Sequence, residues 1–494
     1  MSIGGLLRLV AAGTGLVVLY LVSNVIYNLF FHPLRRYPGP LLMRATRLTH
    51  DYKVLRGTLV FDMLEIHKQY GDVVRICPGE LAFANPEAWR EIMGHRGKAN
   101  DRGEFEKLEA FYNPVGGPKD VVGSSGQEHA MLRRLLSHGF SDRSLRDQQP
   151  LIMKYIDLLV QRMHEKGATG PVDLATWYNF ATFDIIGDLC FGESFGCLES
   201  SDYHPWVSML FSTAKFGTVL QTATFYPLLR KLIIKIVSSP GAQQKMAAHE
   251  DMTKGKLLQR MELGNERPDL VEGLLKRKEE WGIPFKQIQA NCGVLIIAGS
   301  ETTATLMAGA TYLLLQNPEA LRKLTEEIRT AFAREDEIDL TSVNKLTYLF
   351  ACLDEALRMY PPVAVGLPRV CPPGGAEILG EHVSEGTICG IHHWALYHNE
   401  KYFTKPFEYH PERWLQAPEF ANDNLAAVQP FQVGPRNCLG RNLAYLEMRV
   451  IIARLIWNFD MSLAQESDGW MEKQKVFNFW EKPPLMVHMK PVVR

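Results

Sequence analysis

The chain has 494 residues, of which 46% are hydrophobic and 22% charged, a composition that is ordinary for a globular protein with a sizeable core. There are 54 lysines and arginines against 55 aspartates and glutamates, so the net charge of −1 gives no global attraction to nucleic acid. The eight cysteines form no CxxC pair, and a chain of this length does not depend on disulfides. We interpret them as free thiols in a reducing compartment.

The first element in chain order is an apolar segment without charge at residues 9–31. Its length suffices for a helix to cross a hydrocarbon core of about 30 Å. A cleaved signal peptide is the alternative, but the apolar core of a signal peptide is shorter, roughly 7–15 residues. The segment therefore predicts a retained, single-pass membrane anchor, which we place at residues 1–31.

The charges that flank this segment predict its orientation. One arginine precedes it, and four follow it within the next 16 residues: Arg8 before, and Arg35, Arg36, Arg44 and Arg47 after. Positive charge is retained on the cytosolic side, so the C-terminal body is expected in the cytosol. Residues 32–49 then form a stiff joint that contains Pro and Gly, and we expect one large domain at residues 50–494.

The body has the pattern of a mainly α protein with small β-sheets. Helical periodicity covers residues 126–139, 150–166 and 174–191, and residues 72–93 resemble a hairpin followed by a helix. Residues 361–400 alternate short β-type runs with Gly/Pro turns. The Gly- and Pro-rich stretch 99–125 is long for a loop in a compact body, which favours a functional role.

The most informative predicted helix spans residues 286–316 and is apolar on all faces. Four polar residues interrupt it at the centre: Ser300, Glu301, Thr302 and Thr303. A second membrane span is the alternative, but such a cluster would be costly in lipid. The pattern favours a buried helix, bent at its centre, that lines a polar cavity. Gly299 beside the cluster permits close approach of a neighbour.

Two further motifs pair charges. Glu355 and Arg358 are three residues apart, so they share a helix face. Taken alone, such a pair is most often a surface ion pair that contributes little. Arg413 in "PERW" is a candidate third member, and a buried cluster of the three would fix geometry more than it adds stability.

The segment "FQVGPRNCLG" (431–440) places Cys438 between Gly434 and Gly440, with Arg436 two residues before the thiol. One interpretation is a loop with a buried cysteine. The other is a thiolate ligand to a flat metal cofactor, with the glycines clearing space for the plate.

In this order, "AGSETT" (298–303), "EALR" (355–358), "PERW" (411–414) and the cysteine loop resemble the cytochrome P-450 family from about residue 33 to the end. The resemblance implies the cytochrome P-450 fold, a haem b cofactor with the Cys438 thiolate on iron, and a haem-thiolate monooxygenase. "FFHPLRRYPGP" and "YHPERW" resemble membrane-bound fungal members. Among these, the chain is similar to hydroxylases of the trichothecene pathway, typified by isotrichodermin C-15 hydroxylase.

The resemblance also implies roles for single residues. The cofactor-binding residues are expected to be His129, Arg133, Arg369, Phe431, Gly434, Arg436 and Gly440. His129 departs from the family, which more often has Trp there, and a solvated histidine is the alternative. Glu301 and Thr302 stand where protons enter, and Glu355, Arg358 and Arg413 form the structural network. The substrate pocket is expected to include Val294, Ala298, Val365, Leu367 and Phe477, a lining for a lipophilic molecule.

No nicotinamide or flavin fingerprint is present in the sequence, so the electrons come from outside. The resemblance implies a membrane NADPH–cytochrome P-450 reductase as partner, O2 as co-substrate and the endoplasmic reticulum membrane as location. Arg134, Arg441 and Arg449 are candidates for a basic docking face, with an ordinary solvated surface as the alternative. Two other functions stay open: a rearranging haem-thiolate enzyme that uses no reductase, and a haem or sterol binding protein. Neither requires the Glu301–Thr302 pair.

Overall fold

The computed structural model describes residues 3–96, 103–114, 116–204, 215–237, 240–264 and 267–493. Helices account for 59% of the chain, and the sheets are small, so the predicted mainly α class is confirmed. The α-helices are α1 (Ile3–Ile26), α2 (Leu41–Ala45), α3 (Leu48–Arg56), α4 (Leu59–Tyr70), α5 (Glu109–Tyr112), α6 (Gly126–Ser137), α7 (Asp142–Gly167), α8 (Leu174–Phe191), α9 (Cys197–Ser200), α10 (Pro227–Val237), α11 (Pro240–Glu262), α12 (Glu272–Arg277), α13 (Phe285–Gln316), α14 (Pro318–Ala331), α15 (Thr347–Met359), α16 (His393–Tyr397) and α17 (Arg441–Asn458). Residues 215–223 are also helical.

The strands in the described part of the chain are short and fall into four sheets. They are β1 (Val73–Cys77), β2 (Glu80–Phe83), β3 (Glu106–Lys107), β4 (Val172–Asp173), β5 (Arg369–Val370), β6 (Ala376–Ile378), β7 (Glu381–Val383), β8 (Ile388–Ile391), β9 (Phe459–Leu463), β10 (Lys475–Val476), β11 (Trp480–Glu481) and β12 (Met486–Pro491). The sheet orders are β1-β2-β8-β5-β3, β4-β12-β9, β6-β7 and β10-β11.

The chain divides into two compact units, and the first contains Met1–Leu108, Val365–Leu396 and Val433–Pro435. Its five-stranded sheet is mixed: β1 pairs with β2 as an antiparallel hairpin, while β2 pairs with β8 in parallel. Met63 and Leu64 of α4 pack with Val74 of β1 in a buried cluster, because α4 directs its apolar side towards this sheet.

The second unit contains Glu109–Ala364, Tyr397–Gln432 and Arg436–Arg494. Its centre is α13, which packs along α8 and is buried over most of its length. The neighbour that the glycine at 299 was expected to admit is Ile186 of α8, whose Cδ1 would lie 2.7 Å from a Cβ at Gly299. The two helices are also joined by a hydrogen bond of 2.8 Å between the Tyr178 and Thr311 hydroxyls.

Two described helical segments are long and apolar enough to cross a membrane: Ile3–Phe31, with a mean hydropathy of 2.1, and Phe285–Gln316, with 1.3. The two segments differ in how much of their most apolar stretch is buried. The N-terminal segment is unburied along its most apolar stretch, whereas 67% of that stretch in α13 is buried inside the protein. Ile3–Phe31 therefore fits a membrane anchor, and α13 is a core helix.

Several predicted boundaries shift. The helix predicted at 150–166 begins at Asp142, because Ser141 caps it by accepting a hydrogen bond from the Ser144 N–H (3.3 Å), and Pro150 lies inside the helix. The helix expected after the 72–83 hairpin is a short π-helix at Trp89–Met93. The predicted loop 99–125 contains β3 and α5, while its residues 99–102 and 115 lie outside the described ranges.

Candidate active site

The cysteine loop is held by its own backbone and leads into a long helix. A 3-10 turn at Gly434–Arg436 precedes Cys438, whose N–H donates to the Phe431 carbonyl (2.8 Å). The Phe431 ring packs against Tyr445 of α17, with ring centroids 5.2 Å apart. The thiol therefore lies at the N-terminus of an 18-residue helix, where unpaired N–H groups favour negative charge.

Cys438 differs from the other seven cysteines, all of which lie in described segments. Its side chain is exposed, and theirs are buried. Protein nevertheless surrounds most of the loop, and this burial raises the pKa of the Cys438 thiol, while the Gly440 N–H and the Arg133 and Arg441 guanidinium groups act to lower the pKa. A metal cation on the sulfur would tip this balance to the thiolate.

Arg133 of α6 clamps the loop directly. Its Nη1 donates to the Asn437 carbonyl (2.6 Å), and its Nη2 donates to the Asn437 side-chain oxygen. His129, one turn earlier on α6, is buried. The helix thus fixes the residue next to Cys438, a role that the sequence did not predict for Arg133.

The structure gives different reasons for a glycine at each of the two positions in the loop. Gly434 is left-handed (φ +77°), and a Cβ there would collide with the Met93 carbonyl oxygen, so its small size serves a crossing of two backbones. A Cβ at Gly440 would meet only Phe140 Cε1, at 3.7 Å. The backbone crossing accounts for Gly434 by itself, and space for a flat cofactor at both glycines stays a prediction.

The polar centre of α13 presents two faces. The Ser300 and Thr302 hydroxyls donate to the carbonyls of Ile296 and Ala298, one turn back (2.5 and 2.6 Å). Glu301, about 100° round the helix from Thr302, points to the C-terminal region and forms a buried ion pair with Lys482.

The charged network predicted from sequence is assembled in the second unit. Both carboxylate oxygens of Glu355 accept from Arg358, with Nη2 at 2.7 Å and Nε at 2.9 Å. Arg413 Nε approaches Glu355 Oε2 at 3.3 Å, and Trp414 Nε1 donates to the same oxygen at 2.9 Å. Arg413 also pairs with Asp423. The alternative of a surface pair is excluded, since the Glu355, Arg358 and Arg413 side chains are fully buried.

Comparison with known proteins decides what this arrangement is. The family model described as Cytochrome P450 matches residues 36–489. The chain belongs to the cytochrome P450 family. Its relatives in the family include "Cytochrome P450 monooxygenase prhB" of Penicillium brasilianum, which is 46% identical over 96% of this chain and 97% of that protein.

Two further relatives carry hydroxylase names. "Trichothecene C-15 hydroxylase" of Fusarium sporotrichioides is 43% identical over 97% of both chains, and "Averantin hydroxylase" of Dothistroma septosporum is 42% identical over 99% of this chain and 92% of that protein. The resemblance to trichothecene hydroxylases is confirmed, although relatives with other names are equally similar. The chain is thus a P450 monooxygenase, and its cofactor is haem with a cysteine thiolate as axial ligand.

The residues present fit a haem. A flat group with one thiolate ligand requires an accessible sulfur, cations near it and an apolar wall without bulk. Cys438 supplies the first, and Arg133 and Arg441 the second. Ala298 is exposed in the middle of an otherwise buried helix, so α13 presents a small side chain towards open space. When bound, haem supplies the iron at which oxygen is activated.

The remaining predicted residues of the P450 site divide between the two units. Val294 and Phe477 are half-buried in the second unit, where Arg436 also lies half-buried in its turn. In the first unit, Val365 and Leu367 are half-buried, and Arg369 is buried in β5 opposite Cys389 of β8.

One prediction about the P450 surface is wrong. Arg449 was expected on a docking face, but it is buried, and its Nη1 donates to Asn344 Oδ1 (2.5 Å). Burial lowers the pKa of Arg449 to about 10. Arg134 and Arg441 are exposed. The periodicity of α17 did not reveal this difference, because α17 is apolar on several faces and is covered on most of them.

The sequence did not predict which residues distant along the chain contact Glu301 and Arg133. Lys482 lies 181 positions from its partner Glu301, and Asn437 lies 304 positions from Arg133. Lys482 stands in "EKPP", which reads as an exposed turn, so no local signal marks it. The one available signal was Glu301 itself, since a buried carboxylate needs a cation.

Proposed function

We propose that the protein hydroxylates, or otherwise oxidises, a lipophilic small molecule of fungal secondary metabolism. It uses O2 and electrons that NADPH supplies through a cytochrome P-450 reductase. We place it in the endoplasmic reticulum membrane, anchored by Ile3–Phe31, with the catalytic body in the cytosol. The hydroxylase names of its relatives support the reaction class, and the exposed, apolar α1, whose one charged residue is Arg8, supports the anchor.

A single observation carries the assignment of the site: one exposed thiol, Cys438, in a loop that Arg133 clamps at the N-terminus of α17. Cys438 is the axial ligand in this proposal. Arg369, Arg436, Arg133 and His129 would hold the haem carboxylates, Arg133 in addition to its bond to Asn437. Phe431, Gly434 and Gly440 shape the loop beneath the plate.

Glu301 and Thr302 are the catalytic pair in this proposal. Thr302 keeps the lone pairs of its hydroxyl for a water while it donates to Ala298, and Glu301 exchanges protons with that water. The side chains that would contact the substrate in this proposal are Val294 and Ala298 of α13, Phe477, which also borders the cavity beside Glu301, and Val365 and Leu367 of the first unit. These side chains are apolar, which suits a lipophilic substrate.

The decisive experiment compares Thr302→Ala with Ser300→Ala in the full-length protein reconstituted with reductase. Both changes remove a hydroxyl that donates to a carbonyl one turn back, so they match in their structural effect. We expect Thr302→Ala to lose product per NADPH consumed and to release more hydrogen peroxide, because electron delivery does not need the hydroxyl. Ser300→Ala should couple like the wild type.

An oxidant that donates a single oxygen atom should partly restore product formation in Thr302→Ala, since it bypasses the protonation that Thr302 supports. Equal coupling in both variants and the wild type would remove Thr302 from the mechanism. That result would favour the rearrangement reaction, which needs neither reductase nor proton delivery.

A further inference from the structure

A cavity of about 500 Å³ lies in the second unit beside α13, and Ala298 is not among the residues that line it. Its walls come from α8, from the centre of α13 and from the C-terminal segment 477–484. Ile297 and Glu301, one helical turn apart, mark the face of α13 that borders it. At about 30 Å³ per molecule, a space of this size holds on the order of ten waters.

Two lysine–glutamate pairs border the cavity, and they differ in exposure. Lys215 and Glu481 form a pair whose side chains are 56% and 44% exposed, so the cavity reaches solvent there. Lys482 and Glu301 form the other pair, with both side chains 7% exposed. The cavity therefore connects bulk water at one pair to a buried carboxylate at the other.

The buried pair is organised around a single oxygen. Lys482 Nζ donates to Glu301 Oε1 and to Thr305 Oγ1 (2.6 Å), and the Thr305 hydroxyl donates to the same Oε1 (3.2 Å). Glu301 Oε2 is buried and has no hydrogen-bond partner among the described residues. Since a buried acceptor without a partner is costly, Oε2 is the atom for which a cavity water is required.

We propose that Lys482 is a positioning residue that holds Glu301 at the inner end of this cavity and so sets how efficiently solvent protons reach Thr302. The inference rests on the proposed monooxygenase function. A proton passes from cavity water to Glu301 Oε2, and the carboxyl then gives a proton to the water at Thr302. Glu301 ends as a carboxylate and Lys482 keeps its charge, so protons balance and no oxidant is consumed.

The geometry explains why a cation is needed at this point. Glu301 and Thr302 are adjacent in sequence and lie on neighbouring faces of α13, one towards the cavity and one towards the Ala298 space. A glutamate has three rotatable bonds, and without Lys482 the buried carboxylate of Glu301 would lose the one cation that pairs with it in the described part of the chain. The side chain would then turn towards the solvent end of the cavity, away from Thr302.

The test replaces Lys482 with Met, which keeps the length of the side chain and removes the charge. We expect product per NADPH to fall about tenfold, since misplacing a catalytic group costs on the order of 10- to 100-fold. Released peroxide should rise, while NADPH consumption and substrate affinity, measured by the haem spectral shift, stay within about twofold. A purely structural lysine would not separate coupling from substrate affinity in this way.

Two matched variants serve as controls. Lys482→Arg keeps a cation at the site and should retain most of the coupling. Lys215→Met removes the lysine of the exposed pair on the same cavity and should couple like the wild type. The melting temperature gives a measurement that does not depend on catalysis. It should fall in Lys482→Met, because the Glu301 carboxylate is then buried without a cation, and it should recover in the double variant that also carries Glu301→Gln.

Wild-type coupling in Lys482→Met would overturn the inference. If that variant does not fold, Thr305→Val takes its place, because it removes the second acceptor of Lys482 Nζ without stranding a charge. Coupling unchanged in Thr305→Val would overturn the inference as well. Failure of the proposed function looks different, since the wild type itself would then form no oxygenated product with reductase.

Discussion

Burial divides the eight cysteines at the level of single residues. Seven are enclosed by protein, and burial raises the pKa of their thiols, to about 11 for Cys371 and about 12 for Cys292. These thiols stay protonated at neutral pH as long as no cation binds them. Cys438 is exposed and lies beside two guanidinium groups, so it is the thiol that suits a metal.

We therefore expect Cys438→Ala to abolish the absorption band of the reduced carbon monoxide complex from which the family takes its name. The protein should still fold, because the side chain is exposed and carries little of the core. Cys371→Ala is the control: its thiol donates to the Val383 carbonyl (3.4 Å) inside the first unit, and its removal should leave the band in place. Retention of the band in Cys438→Ala would refute the ligand assignment.

A second feature at the residue scale is the buried carboxyl of Glu447 on α17, which makes stability depend on pH. Desolvation raises the pKa of this carboxyl from 4.5 to about 8. The native state therefore binds a proton that the unfolded chain releases above about pH 4.5. Stability from this group is fully present below pH 4.5 and is lost as the pH rises towards 8. The loss is on the order of 5 kcal/mol, at 1.36 kcal/mol per pH unit.

Replacing the carboxyl with the uncharged amide in Glu447→Gln removes this pH dependence. The melting temperature of Glu447→Gln should exceed that of the wild type at pH 8 and approach it at pH 5. Glu466→Gln alters an exposed glutamate and should change neither value. A gain that is the same at both pH values would show that the native carboxyl is not protonated.

At the scale of elements, the Glu355 network ties α15 to the segment that contains the Pro411–Leu415 turn. Arg358 also donates to the carbonyls of Tyr397 (2.9 Å) and Pro406 (2.7 Å), and Nη2 donates to that of Glu408 (3.1 Å). One guanidinium thus satisfies three backbone carbonyls of an irregular stretch. Such a network fixes the path of the chain, since each buried carbonyl needs a donor.

Removing one member should be severe. Glu355→Leu leaves the buried Arg358 without its carboxylate and removes one of the two carboxylates that Arg413 contacts, a defect that costs about 3–5 kcal/mol. We expect a large drop in melting temperature and in the fraction of protein that binds haem. Glu319 and Arg322 on α14 have the same i,i+3 spacing but are exposed, with side chains 64% and 59% accessible. Glu319→Leu should leave both measurements unchanged, and equal effects of the two changes would contradict the role of burial.

At the scale of the whole molecule, the N-terminal segment and the body differ in where their apolar residues lie. Ile3–Phe31 is mostly apolar and mostly exposed, whereas the body buries most of its apolar residues in the two units. Some apolar side chains near the segment remain exposed, among them Leu41, Leu42, Leu48 and Tyr52. These residues continue an apolar surface beyond the anchor.

Deletion of residues 1–31 should therefore shift the protein from the membrane pellet towards the soluble fraction, but incompletely, because Leu41, Leu42 and Leu48 remain able to contact lipid. Replacing these three leucines with serine in the shortened protein should complete the release. Fractionation followed by detection of haem measures both steps. If the protein expressed from the full-length sequence is secreted with residues 1–31 cleaved off, the cytosolic orientation is refuted.

The sequence alone determined the features that depend on residues close together along the chain, such as helix spans and i,i+3 pairs. The α13 helix is one residue longer than the predicted 286–316, and Glu355 and Arg358 pair at i,i+3, because periodicity and capping act over a few residues. The single domain expected at residues 50–494 stays a prediction.

Only the tertiary structure decided which distant side chains meet. It brought Lys482 to Glu301 and Asp423 to Arg413, buried Arg449, and placed the backbone of Met93 against Gly434. Each of these contacts joins segments that share no local pattern. The physical reason is that a charge or a glycine has the same propensities on a surface as in a core, and its role depends on what the fold packs against it.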